Sequence, residues 1–288
     1  MRKKVSIVTP VFNEEENLCE FYTRLTKVMS ELAYDYDIIF VDDGSRDASA
    51  AILYDLSQKD EHVQAFLLSR NFGHQMALTC GIDHAEGDVV ITMDGDLQHP
   101  PELIPELLNR WEAGYEIVQT VRKDTTDASY FKKMTSSGYY KLINKMSKVR
   151  ITPGGSDFRL MDRVAVEALK LYSERARFIR GIVNSLGFKL TTLEFVAPPR
   201  FAGQSKFNLH KMLHFALDGI TAFSNVPLRW AFYAGLLFGF GSMLVLGHVL
   251  FIKVFTEEAV PGWATTTASV LFLGGIQLVG IGILGEYI

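Results

Sequence analysis

The chain has 288 residues, with 33 Asp and Glu against 29 Lys and Arg and a formal net charge of −4. That balance leaves no basic footprint for nucleic acid. Two cysteines, Cys19 and Cys80, provide no disulfide framework and fit a reducing compartment.

Met1-Arg2-Lys3-Lys4 runs straight into a short strand-like segment, so no secretory leader is expected. Short apolar runs then alternate with amphipathic stretches as far as residue 125. Strands are expected over 5–10, 37–42, 63–69, 89–93 and 117–121, with helices near 15–33, 48–59, 74–85 and 101–113. This rhythm predicts an α/β fold with a mostly parallel sheet covered by helices. Right-handed crossovers bring the strand C-terminal ends to one edge, where ligands of open α/β sheets bind. The polar clusters fall at that edge: Asn13-Glu14, Asp42-Asp43-Gly44-Ser45, Arg70-Asn71 and Asp94-Gly95-Asp96.

The last cluster continues as Asp94-Gly95-Asp96-Leu97-Gln98, directly after the β-branched run Val89-Val90-Ile91-Thr92-Met93. Along extended chain, side chains at i, i+2 and i+4 share a side. Asp94, Asp96 and Gln98 therefore address one spot. Two close carboxylates repel unless a cation or a proton separates them. Hard oxygen ligands with open positions suit Mg²⁺ or Mn²⁺, which share their shell with substrate phosphates. In isolation a D-x-D is better read as an acidic turn; the motifs that accompany it reverse that choice.

Beyond residue 125 the pattern is more mixed. A basic, aromatic helix-like stretch spans 129–147, and Gly154-Gly155-Ser156-Asp157-Phe158-Arg159 leads into a helix-like stretch ending at Leu171. A strand is expected over 191–197. Residues 205–225 place apolar side chains at near-helical spacing, which suits either a membrane-interface helix or one packed on the globular domain. Residues 231–252 and 264–284 contain no Asp, Glu, Lys or Arg. Each is about 20 residues long, enough for one helix across a hydrocarbon core of ~30 Å. A two-span hairpin is expected. Lys206, Lys211 and Arg229 precede it, against Lys253 alone between the spans, which keeps the large domain cytoplasmic. The expected organisation is a domain over 1–200, a juxtamembrane region over 201–228 and two spans within 229–288, in a multi-pass protein of the inner (plasma) membrane. Gly280-Ile281-Gly282-Ile283-Leu284-Gly285 matches G-x-G-x-x-G literally, but no strand precedes it, so it fails as a dinucleotide fingerprint.

Five segments occur in order: Val8-Thr9-Pro10-Val11-Phe12-Asn13-Glu14, Val41-Asp42-Asp43-Gly44-Ser45, Arg70-Asn71-Phe72-Gly73, Asp94 to Pro101, and Asp157-Phe158-Arg159-Leu160. Together they resemble the family 2 glycosyltransferases with a GT-A-type, Rossmann-like nucleotide-binding domain, in the polyprenyl-phosphate branch. With the closing Leu284-Gly285-Glu286-Tyr287-Ile288, the chain looks most like the bacterial bactoprenol glucosyltransferases; dolichol-phosphate mannose synthases are related. The resemblance also implies a basic tail beyond Ile288.

What it implies is inverting transfer of a sugar, with glucose from UDP-glucose favoured, to undecaprenyl (polyprenyl) phosphate at the cytoplasmic membrane face, in cell-envelope glycosylation. Pro10, Asn13, Glu14, Asp42, Asp43 and Arg70 would hold the nucleotide, and Asp94, Asp96 and Gln98 would hold Mg²⁺ or Mn²⁺ on the diphosphate. Asp157 looks like the family's base, if the acceptor phosphate carries a proton; with a dianion it would only orient a cation or a hydroxyl. The lipid phosphate needs cations to position it, and the candidates are Arg122, Lys133, Arg200 and Lys206, with Arg122 and Arg200 placed nearest the chemistry. Expected partners are therefore the nucleotide sugar, the polyprenyl phosphate and a lipid bilayer; a homo-oligomer stays open. Competing readings are a mannose synthase using GDP-mannose, a processive polysaccharide synthase, and a nucleotide-binding scaffold without activity. The processive reading lacks its Q-x-x-R-W motif, since Val226 stands where Gln is required before Arg229-Trp230.

Overall fold

The structure is a computed structural model that describes residues 2–123, 155–172, 179–196, 198, scattered positions from 228 to 255, and 262–287. The chain divides into two compact units, residues 1–144 with 149–208, and residues 145–148 with 209–288.

The first unit is built on a seven-stranded sheet of order β3-β2-β1-β4-β6-β5-β7. β1 (Lys4–Val11), β2 (Asp35–Asp42), β3 (Val63–Leu67) and β4 (Val89–Thr92) form its parallel half. Central strands covered on both faces read as unbroken apolar runs. Accordingly all four residues of β4 and seven of eight in β1 are buried. β7 (Leu190–Val196), at the far edge, buries only Leu193 and Phe195 and exposes the alternate Glu194 and Val196.

Helices join the strands. α1 (Leu18–Ser30) buries Leu18, Phe21, Leu25 and Met29 at helical spacing. α2 (Ser49–Lys59) buries Leu53, and α3 (His74–His84) buries Ala77, Leu78, Gly81 and Ile82. After a 3-10 turn at Pro101–Leu103, α4 (Ile104–Glu112) buries Ile104, Leu107 and Leu108. α5 (Arg163–Lys170) is capped by Asp162, whose side chain accepts the Val164 N–H at 2.9 Å. A short helix α6 (Ile179–Ser185) follows.

The sequence reading missed one strand. β6 (Gly155–Asp162) lies antiparallel between β4 and β5 (Ile117–Lys123), pairing Thr92 with Arg159 on one side and Gln119 with Arg159 on the other. Every residue of β6 but the last is buried, including Asp157 and Arg159. Two charges inside a buried strand interrupt the apolar run on which strand recognition depends. The expected helix over 129–147 and the stretch 205–225 lie outside the described residues.

The expected multi-pass membrane location is overturned. Among the described residues no helix is long and apolar enough to cross a membrane. The first expected span, 231–252, is described only at scattered positions. The second falls in a helix, Trp263–Tyr287.

Gly81 shows how closely α3 packs on the sheet. A Cβ there would fall on Val8 Cγ1 and lie 3.2 Å from Val41 Cγ2. Gly81→Ala is expected to cost about 1–3 kcal/mol, read as a lower Tm, and Val8→Ala in the same chain is expected to return most of the loss. A Gly81→Ala protein as stable as wild type would contradict this packing.

Candidate active site

The C-terminal ends of β1, β2 and β3 open a cleft of about 450 Å³ lined by residues including Phe12, Asp42, Ser45, Arg46 and Arg70. Its walls are tied by side chains. Asn13, in the left-handed region at φ 51°, donates its N–H to Ser45 Oγ (2.8 Å) and accepts the Arg46 N–H on Oδ1 (2.8 Å). The Glu14 N–H donates to Ser49 Oγ at 2.9 Å. Pro10 is buried in β1 beside Val41.

The adjacent acids separate by role. Asp43 accepts the Phe72 N–H on Oδ1 (2.7 Å) and the Gly73 N–H on Oδ2 (3.0 Å), so it clamps the loop after β3. Asp42 accepts the Ser45 N–H on Oδ2 at 3.0 Å, while its Oδ1 is buried without a hydrogen bond in the cleft wall. Gly44 follows them at φ 68°, where a Cβ would lie 2.5 Å from Arg70 C. Only glycine lets these two loops meet here.

Past β4 the chain bends and burial alternates. Asp94, Asp96 and Gln98 are half-buried, whereas Gly95, Leu97 and His99 are buried. Asp96 Oδ1 accepts the Gln98 N–H at 3.1 Å, and Gln98 Oε1 accepts from Arg122 Nη1 at 3.3 Å. Asp94 Oδ1 is buried and accepts no hydrogen bond. Among the described residues no three His, Cys, Asp or Glu side chains gather as a metal cage.

Antiparallel β6 carries Asp157 to the Asp94 side of the sheet. Asp157 Oδ1 accepts from Arg159 Nη2 (2.7 Å) and Arg180 Nε (2.9 Å), and its Oδ2 accepts from Arg180 Nη2 (2.7 Å). His74 Nε2, at the start of α3, lies 3.4 Å from Asp157 Oδ2 and 3.6 Å from Asp94 Oδ1. Burial alone would raise the Asp157 pKa, but Arg180, His74 and Arg159 outweigh it and hold the carboxyl well below the usual range. His74 moves the other way. Burial works to lower it, while the neighbouring Asp157 and Asp94 carboxylates push it up to about 9. Burial brings Arg159 down to about 10, against the pull of Asp157.

Sequence reasoning named Asp157 but missed His74, Ser156, Arg159 and Arg180. A lone histidine in Asn71-Phe72-Gly73-His74 carries no spacing signal, and Arg180 lies 23 residues from its partner. Lys133, Arg200 and Lys206 lie outside the described residues; Arg122 is exposed at the end of β5.

The model of glycosyl transferase family 2 matches residues 6–170. The chain belongs to this family. It is 43% identical over 283 residues to an uncharacterized glycosyltransferase of Bacillus subtilis, covering 98% of this chain and 88% of the relative. It is 42% identical over 290 residues to a prophage bactoprenol glucosyl transferase homolog of Escherichia coli, covering 99% and 93%. Its fold is similar to that of a glucosyl-3-phosphoglycerate synthase from Mycobacterium tuberculosis, solved with Mn²⁺, UDP-glucose and phosphoglyceric acid. That likeness has a TM-score of 0.51 at 14% identity and covers 76% of this chain and 78% of the other. The protein is thus a glycosyltransferase with a GT-A-like, mostly parallel sheet, as its motifs implied.

The raised His74 pKa sets the sign of one pH effect. A group with a higher pKa in the folded chain contributes stability that is full below the unfolded value, 6.5, and is lost as pH rises through about 9. In metal-free protein, NMR is expected to show His74 titrating near 9 and moving toward 6.5 in Asp157→Asn. Titration near 6.5 in wild type would contradict the contact with Asp157.

Proposed function

We propose that this glycosyltransferase moves glucose from UDP-glucose to a polyprenyl phosphate, assisted by Mg²⁺ or Mn²⁺. The observation that carries the reading is the juxtaposition at one sheet edge of an open cleft, the half-buried Asp94, Asp96 and Gln98, and the cation-ringed Asp157. The names of the similar bacterial and phage proteins support bactoprenol phosphate as acceptor and glucose as the sugar.

The donor set fits a divalent ion. Asp94 Oδ1 is a buried oxygen that accepts no hydrogen bond and meets His74 Nε2 only at 3.6 Å, which leaves room for a closer ligand. Asp94 and Asp96 supply hard carboxylate oxygens and Gln98 a carbonyl. A shell with so few protein ligands is completed by the donor diphosphate and water, the usual arrangement for Mg²⁺. When bound, the ion neutralises charge on the departing nucleoside diphosphate. Asp42, through its unused Oδ1, accepts from the base or ribose, and Arg70 lines the same cleft.

Asp157 serves as an ionised anchor. A carboxylate held well below its usual range is a weak base, and both its oxygens already accept from arginines. The acceptor phosphate is anionic at neutral pH and needs orientation more than deprotonation. Asp157 keeps His74 and Arg180 in place at the site, and Arg122 reaches Gln98 from the end of β5.

Mass spectrometry of the lipid product is the direct test. With undecaprenyl phosphate and a panel of nucleotide sugars, a hexose adduct is expected from UDP-glucose and not from GDP-mannose. Chelation of divalent ions, Asp94→Ala or Asp96→Ala is expected to abolish the adduct in protein that remains folded. Transfer untouched by chelation would remove the metal from the account. Asp157→Asn is expected to depress turnover and to bring the alkaline limb of the pH profile down from near 9 as His74 loses its partner, whereas selective loss of the acid limb would restore Asp157 as the base.

A further inference from the structure

His99 is spent on both ring nitrogens. The Asp94 N–H donates to Nδ1 at 2.9 Å, so Nδ1 acts as acceptor and carries no proton. Nε2 lies 2.9 Å from Ser156 Oγ, which also accepts the Phe158 N–H at 2.9 Å. With Nδ1 bare, Nε2 holds the ring proton and donates it to Ser156. Asp94 Oδ2 stands 3.5 Å from Nδ1, beyond hydrogen-bond range.

The ring is also held in a packed aromatic group. It stacks on Phe158, with centroids 5.4 Å apart and planes at 28°, and meets Phe195 edge-on at 6.1 Å. Both His99 and Ser156 are buried. A single imidazole thus joins the Asp94 backbone to the two residues flanking Asp157. Thr92 Oγ1 adds a parallel tie to the Asp157 carbonyl at 2.6 Å.

We infer that His99 is a positioning residue, which sets the Asp94 carboxylate for the divalent ion by pinning the Asp94 backbone to β6 rather than by binding the ion itself. Neither ring nitrogen has a lone pair left to offer. Without the Nδ1 acceptor, the Asp94 amide is unpaired and the turn from Asp94 to Gln98 loses its fixed distance from Asp157. This inference rests on the metal-dependent reading above.

Three substitutions separate positioning from bulk packing. His99→Asn places an amide oxygen near the Nδ1 position and keeps the bond to Asp94. His99→Gln places an amide nitrogen near Nε2 and keeps only the bond to Ser156. His99→Phe keeps the ring contacts and loses both bonds. The measurements are Mn²⁺ affinity of the full chain in the presence of UDP, by electron paramagnetic resonance, together with Tm. His99→Phe and His99→Gln are expected to weaken Mn²⁺ binding by roughly 10–100-fold, the usual effect of removing a residue that orients a metal ligand. His99→Asn is expected to bind Mn²⁺ more tightly than either, even though it loses ring packing and melts lowest. Mn²⁺ affinities that follow the order of Tm, or that equal wild type in all three, would overturn the role given to His99. Wild-type protein that takes up no Mn²⁺ with UDP would overturn the donor-site reading, and the role of His99 with it.

Discussion

An ionised carboxylate and a guanidinium cannot sit inside a sheet unless each compensates the other, and this site is organised around that requirement. Arg159 has no solvent exposure and Asp157 only 3%. Two residues apart on β6, they share one face of the strand, while Phe158 and Leu160 turn to the hydrophobic core. Their 2.7 Å contact leaves Arg159 satisfied at one nitrogen only, with Nε and Nη1 unpaired. Removing the Asp157 charge would therefore strand a buried cation, a loss of about 3–5 kcal/mol. Arg180 and His74 close around the same carboxylate from two helices. The pair thus ties β6, α6 and the start of α3 to one point, and the turn from Asp94 to His99 is joined to that point through His99 and Ser156.

The parallel half of the sheet was legible in the sequence because its strands are continuous β-branched runs, and the placing of the polar clusters at one edge followed from crossover handedness. Asp94, Asp96 and Gln98 were expected to share a side along extended chain, but β4 ends at Thr92 and Leu97 sits at φ 61°, so their similar half-burial arises in a turn and not along a strand. β6 was not legible. Its charged residues are tolerable only as a pair, and its neighbours are distant in sequence. The division of labour between Asp42 and Asp43 depends on backbone N–H groups about 30 positions away, which no local pattern reveals. The apolar segments 231–252 and 264–284 are long in sequence, yet length alone did not carry the membrane-spanning reading.

Membership of glycosyl transferase family 2 accounts for the edge of the sheet as a place for nucleotide chemistry. Within that frame, positive charge from Arg159, Arg180 and His74 collects on Asp157. His74 retains 42% exposure while contacting two acids. A cation held in that way is pre-placed, so little reorganisation is needed when anionic substrates arrive. The same cations that keep Asp157 ionised make it a poor proton acceptor and a good anchor, which suits an acceptor already anionic.

Diffraction at the manganese absorption edge, from crystals of the full chain grown with UDP-glucose and Mn²⁺, tests the central claim most directly. The account predicts one anomalous peak bridging the Asp94 and Asp96 carboxylates and the donor diphosphate, with Asp157 still held by Arg159 and Arg180. A diphosphate bound away from those two carboxylates, or an ion seated on His99, would contradict it.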